Sequence, residues 1–211
     1  MLTFAVIAIF APVIAPYSER EVVDPRLARA SPSWLFPMGL DANGRDIFSR
    51  MVYGARVSLV VGVLAQAIVL LIGIPIGAIA GYFGGVTDNV LMRLVDVIYA
   101  IPQLLMVLLF VNWWGSGLFN IFLAIGLVGW VTEARLVRGQ FLSLREQDYV
   151  GAAQVAGAGG PYIIGKHMLP NSLTPIIVAL TFGIPTAIFT EAALSFVGVG
   201  IRPPQASWGQ M

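Results

Sequence analysis

The chain has 211 residues, of which 58% are hydrophobic and 11% charged, and its formal net charge is +1. Soluble domains carry about 25% charged residues, so a chain this apolar has surface that only lipid can cover. The balanced charge, with no basic tail or stripe, argues against nucleic-acid binding. The lack of cysteine excludes disulfides, thiolate metal sites and cysteine catalysis, and a single histidine makes a histidine-based metal site a poor hypothesis.

Five apolar stretches, taken in chain order, predict membrane-spanning helices. They cover residues 2–16, 57–80, 90–113, 118–137 and 173–199. The last four are close to the roughly 20 residues that a helix needs to cross about 30 Å of hydrocarbon. The first is short, which leads us to expect a longer N-terminus. Helices are expected because unpaired backbone is too costly in lipid and the sequence lacks the alternation of a barrel. The predicted fold is an all-α, polytopic membrane protein with five transmembrane helices.

Two longer polar segments separate these helices, at residues 17–54 and 135–170. Membrane orientation normally follows an excess of Lys and Arg on the cytoplasmic side. The two segments carry similar numbers of cations and would lie on opposite sides of the membrane if the helices alternate. Charge therefore does not orient this chain.

Glycine and proline mark particular positions within the helices. Gly73, Gly77 and Gly81 share one face of the second span, where a neighbouring helix can approach closely. That neighbour is either another helix of this chain or a helix of a second subunit. Proline removes a main-chain donor and predicts a kink in each helix that contains it. These prolines are Pro75, Pro102 and Pro185.

The segment between the fourth and fifth spans carries the most specific motif. Residues 148–157 are Asp-Tyr-Val-Gly-Ala-Ala-Gln-Val-Ala-Gly, and residues 166–171 are Lys-His-Met-Leu-Pro-Asn. This pattern resembles the EAA loop of ABC-importer permeases, in which Glu-Ala-Ala is followed by three residues, Gly, nine residues, one apolar residue, any residue and Leu-Pro. Gly151 stands in place of the usual Glu, and His167 stands at the apolar position. The positions that match in register are Ala152, Ala153, Gly157, Leu169 and Pro170.

The resemblance implies a docking role for this segment. In the family the loop faces the cytoplasm and inserts into the ATPase subunit. Small residues provide a helix surface that fits closely into a partner's groove, and Gly157 can end a short helix. The alternative is an ordinary small-residue loop between two spans. The ATPase-coupling loop implied by the resemblance, at residues 145–171, has as its site residues Asp148, Tyr149, Gly151, Ala152, Ala153, Gly157, Leu169 and Pro170.

The resemblance covers nearly the whole chain. Residues 38–50 resemble the Leu-Gly-Thr-Asp…Gly-Arg-Asp…Ser-Arg segment of dipeptide and oligopeptide permeases, and residues 53–59, 81–85 and 194–209 continue the pattern. It is closest to the C-type permease of the dipeptide, oligopeptide and nickel importers, a type I importer subunit with a MetI-like fold and about six spans. We therefore expect a last helix beyond this sequence.

Domain organisation and orientation also follow from the resemblance. We expect residues 1–54 to form the first helix, truncated at its N-terminus, and an extracytoplasmic segment. Residues 55–211 are expected to form the permease domain. If the coupling loop is cytoplasmic, residues 17–54 and 201–211 lie outside the membrane and residues 81–88 lie inside.

The implied function is that of a non-enzymatic permease subunit in a binding-protein-dependent importer of di- or oligopeptides or similar small solutes. The expected partners are a homologous second permease, two cytoplasmic ATPases, an extracytoplasmic solute-binding protein and membrane lipid. The expected location is the cytoplasmic membrane of a bacterium or archaeon. No catalytic residue, cofactor site or metal site is expected, because the sequence contains no such cluster or motif. The pattern does not identify the solute.

Three acidic residues lie within or near the apolar spans, where charge is costly and often functional. Asp96 is one helical turn from Arg93, with which we expect it to pair, and Glu133 has Arg135 nearby. Glu191 has no local partner, so it either bonds to another helix, lies near the outer interface or lines the solute pathway. An alternative function, a self-sufficient proton-coupled secondary transporter, would use these three carboxylates as a relay.

Residues 160–166 fit the start of a phosphate-binding loop, Gly-x4-Gly-Lys. The next residue is His167, whereas such a loop needs Ser or Thr to bind magnesium, and no strand is predicted before it. We therefore expect ATP to bind to a separate chain.

Overall fold

Helices form most of the structure, a computed structural model that describes residues 2–201 and 205–211. Pro203 and Pro204, which belong to the family-like stretch at residues 194–209, lie outside the described residues. Within the described residues the β pairing is an isolated bridge between Leu40 and Asp46, so the predicted all-α class is confirmed. The α-helices are α1 (Leu2–Ile9), α2 (Ala11–Ile14), α3 (Ile47–Phe83), α4 (Gly85–Tyr99), α5 (Gln103–Trp114), α6 (Leu118–Arg145), α7 (Asp148–Val155), α8 (Gly160–Ile163) and α9 (Leu169–Phe196). A 3-10 turn lies at Pro25–Leu27, and a π-helical turn at Ile164–Met168 joins α8 to α9.

Three helical stretches are long and apolar enough to cross a membrane: α3, α6 and the continuous run Gly160–Phe196 that contains α9. α4 and α5 together would make a fourth span, bent by 78° where they meet. These stretches match the predicted second to fifth spans. The first predicted span, residues 2–16, forms α1 and α2 with 8 and 4 residues. The described residues therefore hold up to four spans, whereas five were predicted.

The second span begins ten residues earlier than the apolar run that predicts it. Its first turn is capped by Asp46, whose Oδ2 accepts hydrogen bonds from the main-chain N–H of Ser49 at 2.8 Å and from its hydroxyl at 2.6 Å. A side-chain acceptor at this position satisfies a donor that the helix leaves free. The helix therefore starts at Ile47, inside the segment that composition assigns to the polar surface.

The third predicted span is broken at its proline. α4 ends at Tyr99 and α5 begins at Gln103, because Pro102 has no N–H to continue the helical hydrogen bonds. The kink predicted at Pro102 is confirmed by the 78° bend. By contrast, α3 and α9 continue as helices through Pro75 and Pro185.

Two compact units divide the chain. The first consists of Met1–Val63, Phe110–Phe122 and Thr186–Met211, and the second consists of Leu64–Leu109 and Leu123–Pro185. Four helices, α3, α5, α6 and α9, each contribute residues to both units.

In the first unit, the C-terminal residues pack against the beginning of α3. The main-chain N–H of Trp208 donates to the Ser58 hydroxyl at 3.1 Å, and its indole N–H donates to the Met51 carbonyl at 3.0 Å. The Phe4 ring meets the same indole edge-on, with ring centroids 5.4 Å apart. Trp208 therefore joins the two ends of the described chain to α3.

The second unit packs around α6. One cluster of buried apolar side chains joins Phe141 of α6 to Val150 of α7 and to Met168. Another joins Trp130 of α6 to Val95 of α4. Because both clusters draw on α6, this helix connects the motif segment to the rest of the unit.

Candidate functional site

The segment that matches the EAA motif folds as a short helix with one buried side chain. α7 begins at Asp148 after an extended residue and ends at Val155. Val150 is fully buried, whereas Val155 is 92% exposed and Ala152 is also exposed. α7 is therefore anchored on one side by Val150, and Ala152 and Val155 are exposed on the other.

Gly157 ends this helix in the way that its sequence position predicts. Its φ of +83° is left-handed, a conformation that favours glycine. Its N–H donates to the Gln154 carbonyl, and the N–H of Ala158 donates to the Ala153 carbonyl, both at 3.0 Å. This pair of bonds is the Schellman motif, which satisfies carbonyls that the last turn leaves free. The prediction that Gly157 terminates the first short helix is confirmed.

The departure from the motif at Gly151 leaves open space. A Cβ built at Gly151 would meet nothing within 4 Å, and the same holds at Gly157. A glutamate at position 151 would therefore extend away from the body of the second unit. With Gly151 in place of that glutamate, the surface of α7 lacks one polar side chain. The packing of Val150 against the Phe141 cluster does not involve this position.

The other departure, His167, lies between two tyrosines. Its ring centroid is 5.6 Å from that of Tyr162, in an edge-on arrangement, and 6.4 Å from that of Tyr149. His167 stands at the motif position that is usually apolar. The apolar part of its imidazole ring packs against the two tyrosine rings there. The two matching residues that follow differ in burial: Leu169 packs against the Phe141 cluster, and Pro170 is exposed in the first turn of α9.

The glycine-rich stretch that resembles a phosphate-binding loop is helical. Gly160–Ile163 forms α8, and Ile164–Met168 is a π-helical turn leading directly into α9. The N–H of Ile163 donates to the Gly159 carbonyl and that of Ile164 to the Gly160 carbonyl, so this backbone is helical and does not form the open loop that surrounds a phosphate. This geometry agrees with the prediction that the segment is not an ATP site.

The glycine stripe on α3 lies against α6. A Cβ would be 2.4 Å from the Ala134 carbonyl oxygen at Gly77 and 2.5 Å from the Phe141 Cβ at Gly81. At Gly73 it would be 2.9 Å from the Glu133 Cβ. The sequence left open whether the glycine stripe packs against a helix of this chain or of a second subunit. In the structure it packs against α6 of this chain.

Two ion pairs connect α4 to α6. Arg138 Nη2 is 2.6 Å from Asp88 Oδ2, with a second contact from Nε to Oδ1. Arg135 Nη2 is 2.6 Å from Asp96 Oδ1, and its guanidinium carbon lies 4.0 Å from the centre of the Tyr99 ring. α4 is thus held along its length to α6, the helix that leads into the motif segment.

These contacts correct the prediction about Asp96. Asp96 pairs with Arg135 on α6, and the expected partner one turn away, Arg93, is exposed. Glu133 is 6% exposed, and its Oε1 has no hydrogen-bond partner among the described residues. The expected Asp96–Arg93 pair is wrong because sequence proximity identifies neighbours along one helix, whereas Arg135 reaches Asp96 from the neighbouring helix.

The end of α6 also contacts the turn between α3 and α4. Arg145 Nη1 is 3.5 Å from the Tyr82 carbonyl oxygen, and a Cβ at Gly84 would lie 2.7 Å from the same nitrogen. Gly84 has φ +64°, so glycine suits this turn both for its conformation and for the close guanidinium. The turn is therefore tied to the residue that immediately precedes the motif segment.

Glu191 is fully buried in the first unit. Its Oε1 accepts hydrogen bonds from the Ser195 hydroxyl at 2.8 Å and the Ser207 hydroxyl at 2.9 Å. Its Oε2 has no partner among the described residues, and a Cβ at Gly209 would lie 2.7 Å from it. Glu191 thus bonds its own helix and the C-terminal segment, and a role in lining the solute pathway stays a prediction.

Asp41 organises a polar turn in the first unit. Its Oδ1 accepts main-chain N–H bonds from Asn43 at 2.8 Å and Arg45 at 3.0 Å, and its Oδ2 pairs with the guanidinium groups of Arg45 and Arg50. Burial opposes ionisation, but the bonds from Arg45 and Asn43 outweigh it and hold the pKa of Asp41 below its ordinary value. Among the described residues, no group of three or more His, Cys, Asp or Glu is arranged to hold a metal ion.

Comparison with known proteins identifies the class of this helical membrane chain. The family model described as binding-protein-dependent transport system inner membrane component matches residues 73–211. The oligopeptide transport system permease protein OppC of Bacillus subtilis (strain 168) is 44% identical over 206 residues, covering 97% of this chain and 67% of that protein. The dipeptide transport system permease protein DppC of the same organism is 43% identical over 213 residues, covering 100% of this chain and 66% of that protein.

The chain belongs to this family of importer permeases and is a multi-pass membrane protein. It spans about two thirds of the length of the curated relatives it matches. A solved structure, the MetNI methionine ABC transporter in an inward-facing conformation (CY5 native crystal form), shares the fold with a TM-score of 0.62 at 19% identity. The match covers 74% of this chain and 77% of that one. The family model and the relatives confirm the predicted family, and the solved structure confirms the predicted MetI-like fold. The relatives are named as transport permeases and not as enzymes.

Proposed function

We propose that this chain is a permease subunit of an ATP-driven, binding-protein-dependent importer, and that it forms half of the pathway for dipeptides, oligopeptides or similar small solutes. The relatives OppC and DppC are named for oligopeptide and dipeptide transport, which supports a peptide solute. Membership of the family favours this function over a self-sufficient proton-coupled carrier. The ATPases, a homologous second permease and the solute-binding protein would be separate chains.

The observation that carries the proposal is the form of α7. Its buried Val150 anchors the helix, while Val155 and the turn at Gly157 remain exposed. An exposed apolar residue on a short, well-anchored helix favours insertion into a groove of another protein. We infer that this groove belongs to a cytoplasmic ATPase subunit, and that Gly151 leaves room for its close approach.

The packing around α6 supports a mechanical role for the same segment. The glycine stripe brings α3 against α6, and two ion pairs hold α4 to it. Packed cores resist gradual deformation, so a displacement of α7 would move α6 together with the helices attached to it. ATP binding would draw the two ATPases together, and their different affinities for the two states of the permease would shift it between outward- and inward-facing forms.

This proposal requires a defined orientation. Residues 145–171 would face the cytoplasm, and residues 17–54 and 201–211 would face the extracytoplasmic side, where a solute-binding protein delivers its cargo. The membrane would be the cytoplasmic membrane of a bacterium or archaeon. Residues 1–54 would supply a helix and the external segment, and residues 55–211 the permease domain.

The docking role is tested at Gly151. Gly151→Trp adds a large side chain where a Cβ meets nothing within 4 Å, so the fold should persist while the partner's approach is blocked. Gly151→Ala is the matched control and should leave docking intact. We expect the tryptophan variant to enter the membrane normally but to lose co-purifying ATPase and peptide uptake. Wild-type levels of both in that variant would overturn the proposal.

The energy source is tested with the complete importer in proteoliposomes. We expect peptide uptake to require ATP inside and the solute-binding protein outside. A proton gradient without ATP should drive no uptake. Uptake by this chain alone under a proton gradient would favour the secondary transporter that uses Asp96, Glu133 or Glu191 as a relay.

A further inference from the structure

A cavity of about 400 Å³ lies at the break between α4 and α5. Tyr99, Ile101 and Gln103 line it from the break, and Val131 and Thr132 line it from α6. It is contained within the second unit. The glutamine, the threonine and the tyrosine hydroxyl provide hydrogen-bond donors and acceptors in an otherwise apolar span.

The broken main chain adds further acceptors. At the end of α4 the N–H of Ala100 donates to Asp96, and that of Ile101 donates to Ile98. On the other side of the break the N–H of Leu105 donates to Pro102. Among the described residues, no main-chain N–H is found donating to the carbonyl oxygens of Ala100 and Ile101. Two unpaired acceptors are therefore left at the bend.

Helix geometry puts this cavity within the fourth apolar span. α6 runs over 28 residues from Leu118 to Arg145, and Thr132 lies close to its centre. With a rise of 1.5 Å per residue, Thr132 is roughly 20 Å from each end of the helix. Thr132 also lies within the apolar run 118–137, about 8 Å from the end of that run that leads to Arg138. If α6 crosses the bilayer, the cavity lies at membrane depth toward that charged end, where hydrocarbon offers no partner to a free carbonyl.

The cavity is not covered by its own chain. Tyr99 is 58% exposed and Ile101 is 43% exposed, and Gln103 and Thr132 are also exposed. Irregular backbone at this depth is tolerated only against protein or beside water. Such breaks in membrane helices are typical of solute and ion sites because the freed backbone groups serve as ligands.

The chemistry of the lining indicates the kind of solute. No charged side chain lines the cavity, and Arg135, whose guanidinium carbon lies 4.0 Å from the centre of the lining Tyr99 ring, is paired with Asp96. A metal ion would need carboxylate or imidazole ligands, and an anion would need cations. A neutral lining with both donors and acceptors instead suits the main-chain amide groups of a peptide.

We infer that the break between α4 and α5, together with the middle of α6, is a solute-contact site that hydrogen-bonds the main-chain amides of the transported peptide. This inference rests on the proposed function and adds to it the position and chemistry of one contact. The site faces a water-filled pathway, with Gln103 and Thr132 as its side-chain ligands and the free carbonyls as additional acceptors.

The natural absence of cysteine allows a direct test in the complete importer. Thr132→Cys and Gln103→Cys are compared with Leu71→Cys, which replaces an apolar residue of α3 that is 75% exposed. The probe is a charged, membrane-impermeant methanethiosulfonate, and labelling is measured on this chain. We expect the two site cysteines to react at least about tenfold faster than the control, because thiolates form in water and not in hydrocarbon. Alanine di- and tripeptides should slow the reaction, and labelling should stop their uptake.

A shape-preserving substitution adds a functional measurement. Thr132→Val removes only the hydroxyl, and uptake of subsaturating peptide should fall about fivefold, the effect of losing one hydrogen bond. Thr132→Ser should restore it. Thr181→Val on α9, at another exposed threonine, should have no such effect.

The outcomes separate this inference from the proposed function. If ATP-driven peptide uptake is normal but both site cysteines react as slowly as Leu71→Cys, lipid or the second permease covers this face and the inference is wrong. Rapid labelling without protection by peptide also overturns it, since the cavity is then wet but not on the solute's route. If the unmodified importer takes up no peptide, the proposed function fails and the assigned ligand class fails with it.

Discussion

Arg138 on α6 and Asp88 on α4 are joined at two points, with Nη2 2.6 Å from Oδ2 and Nε facing Oδ1. The carboxylate is mostly buried, since its side chain is 12% exposed, whereas the guanidinium is 34% exposed. A two-point contact fixes the relative orientation of its partners as well as their distance. The pair therefore determines how α4 lies on α6 just before α6 leads into the proposed coupling loop.

Removing one member of this pair should weaken the second unit. Arg138→Gln or Asp88→Asn should each cost about 1–3 kcal/mol, because the remaining partner loses charge-assisted hydrogen bonds. The double variant should cost less than the sum of the two single variants. The measurement is thermal unfolding in detergent. Arg135→Gln is the control: its pair with Asp96 is more exposed, so the loss should stay below about 1 kcal/mol. Equal losses at both pairs would contradict this account.

The glycine stripe makes a second stability prediction. Gly77→Ala would bring a methyl group within 2.4 Å of the Ala134 carbonyl oxygen, so the helices must separate, at a cost of about 1–3 kcal/mol. Gly139→Ala is the matched control, because a Cβ there meets nothing within 4 Å. That control should gain up to about 1 kcal/mol, since alanine favours helix. A shift of unfolding temperature in the same direction for both variants would argue against close packing at Gly77.

The two valines of α7 should separate stability from docking. Val150→Ala opens a cavity in the cluster around Phe141 and should cost about 1–3 kcal/mol of stability. Val155→Ser changes a residue that is 92% exposed, so unfolding should shift by less than about 0.5 kcal/mol. The same variant should weaken binding of the ATPase, measured by titration of the purified ATPase onto the permease. If Val155→Ser leaves that affinity unchanged, the exposed face of α7 is not the docking surface.

The bond between Glu191 and Ser207 should hold the C-terminal segment against α9. Ser207→Ala removes a hydroxyl donor and should weaken this attachment by about 1 kcal/mol. Hydrogen exchange of residues 205–210 should then become faster. Ser195→Ala removes the other donor to the same oxygen but lies on α9 itself, so exchange in 205–210 should change little. Similar acceleration in both variants would show that the carboxylate, rather than the Ser207 bond, controls the segment.

The stability of the turn at Asp41 should fall as the pH is lowered. Its pKa lies below the ordinary value in the folded chain, so ionisation favours the folded turn. This contribution is fully present above the unfolded pKa and is lost as the pH falls through the folded pKa. Exchange protection of the Asn43 and Arg45 amides, corrected for intrinsic rates, should therefore persist at neutral pH and disappear only in strong acid. Asp41→Asn should reduce protection at neutral pH and remove its acid dependence.

The sequence predicted a helical membrane protein because the length and hydropathy of each segment can be determined without knowing its neighbours in the fold. An apolar run of sufficient length and the missing N–H of Pro102 act on the helix that contains them, so the second to fifth spans and the break were predictable, whereas the first predicted span forms two short helices. The turn at Gly157 is similar, because left-handed backbone favours glycine wherever a helix ends. The start of α3 was missed, since hydropathy does not register a capping bond such as that between Asp46 and Ser49.

The amino-acid sequence by itself determined that this protein is a helical membrane permease with a small-residue loop between two spans, because hydrophobic length and residue spacing are local quantities. Tertiary structure alone decided that Arg135 pairs with Asp96, that the glycine stripe faces α6 and that Glu191 meets Ser207. Each of these contacts joins residues far apart in the chain. Their partners depend on which helix faces pack together, and that choice is made by the summed burial of many side chains rather than by any one motif.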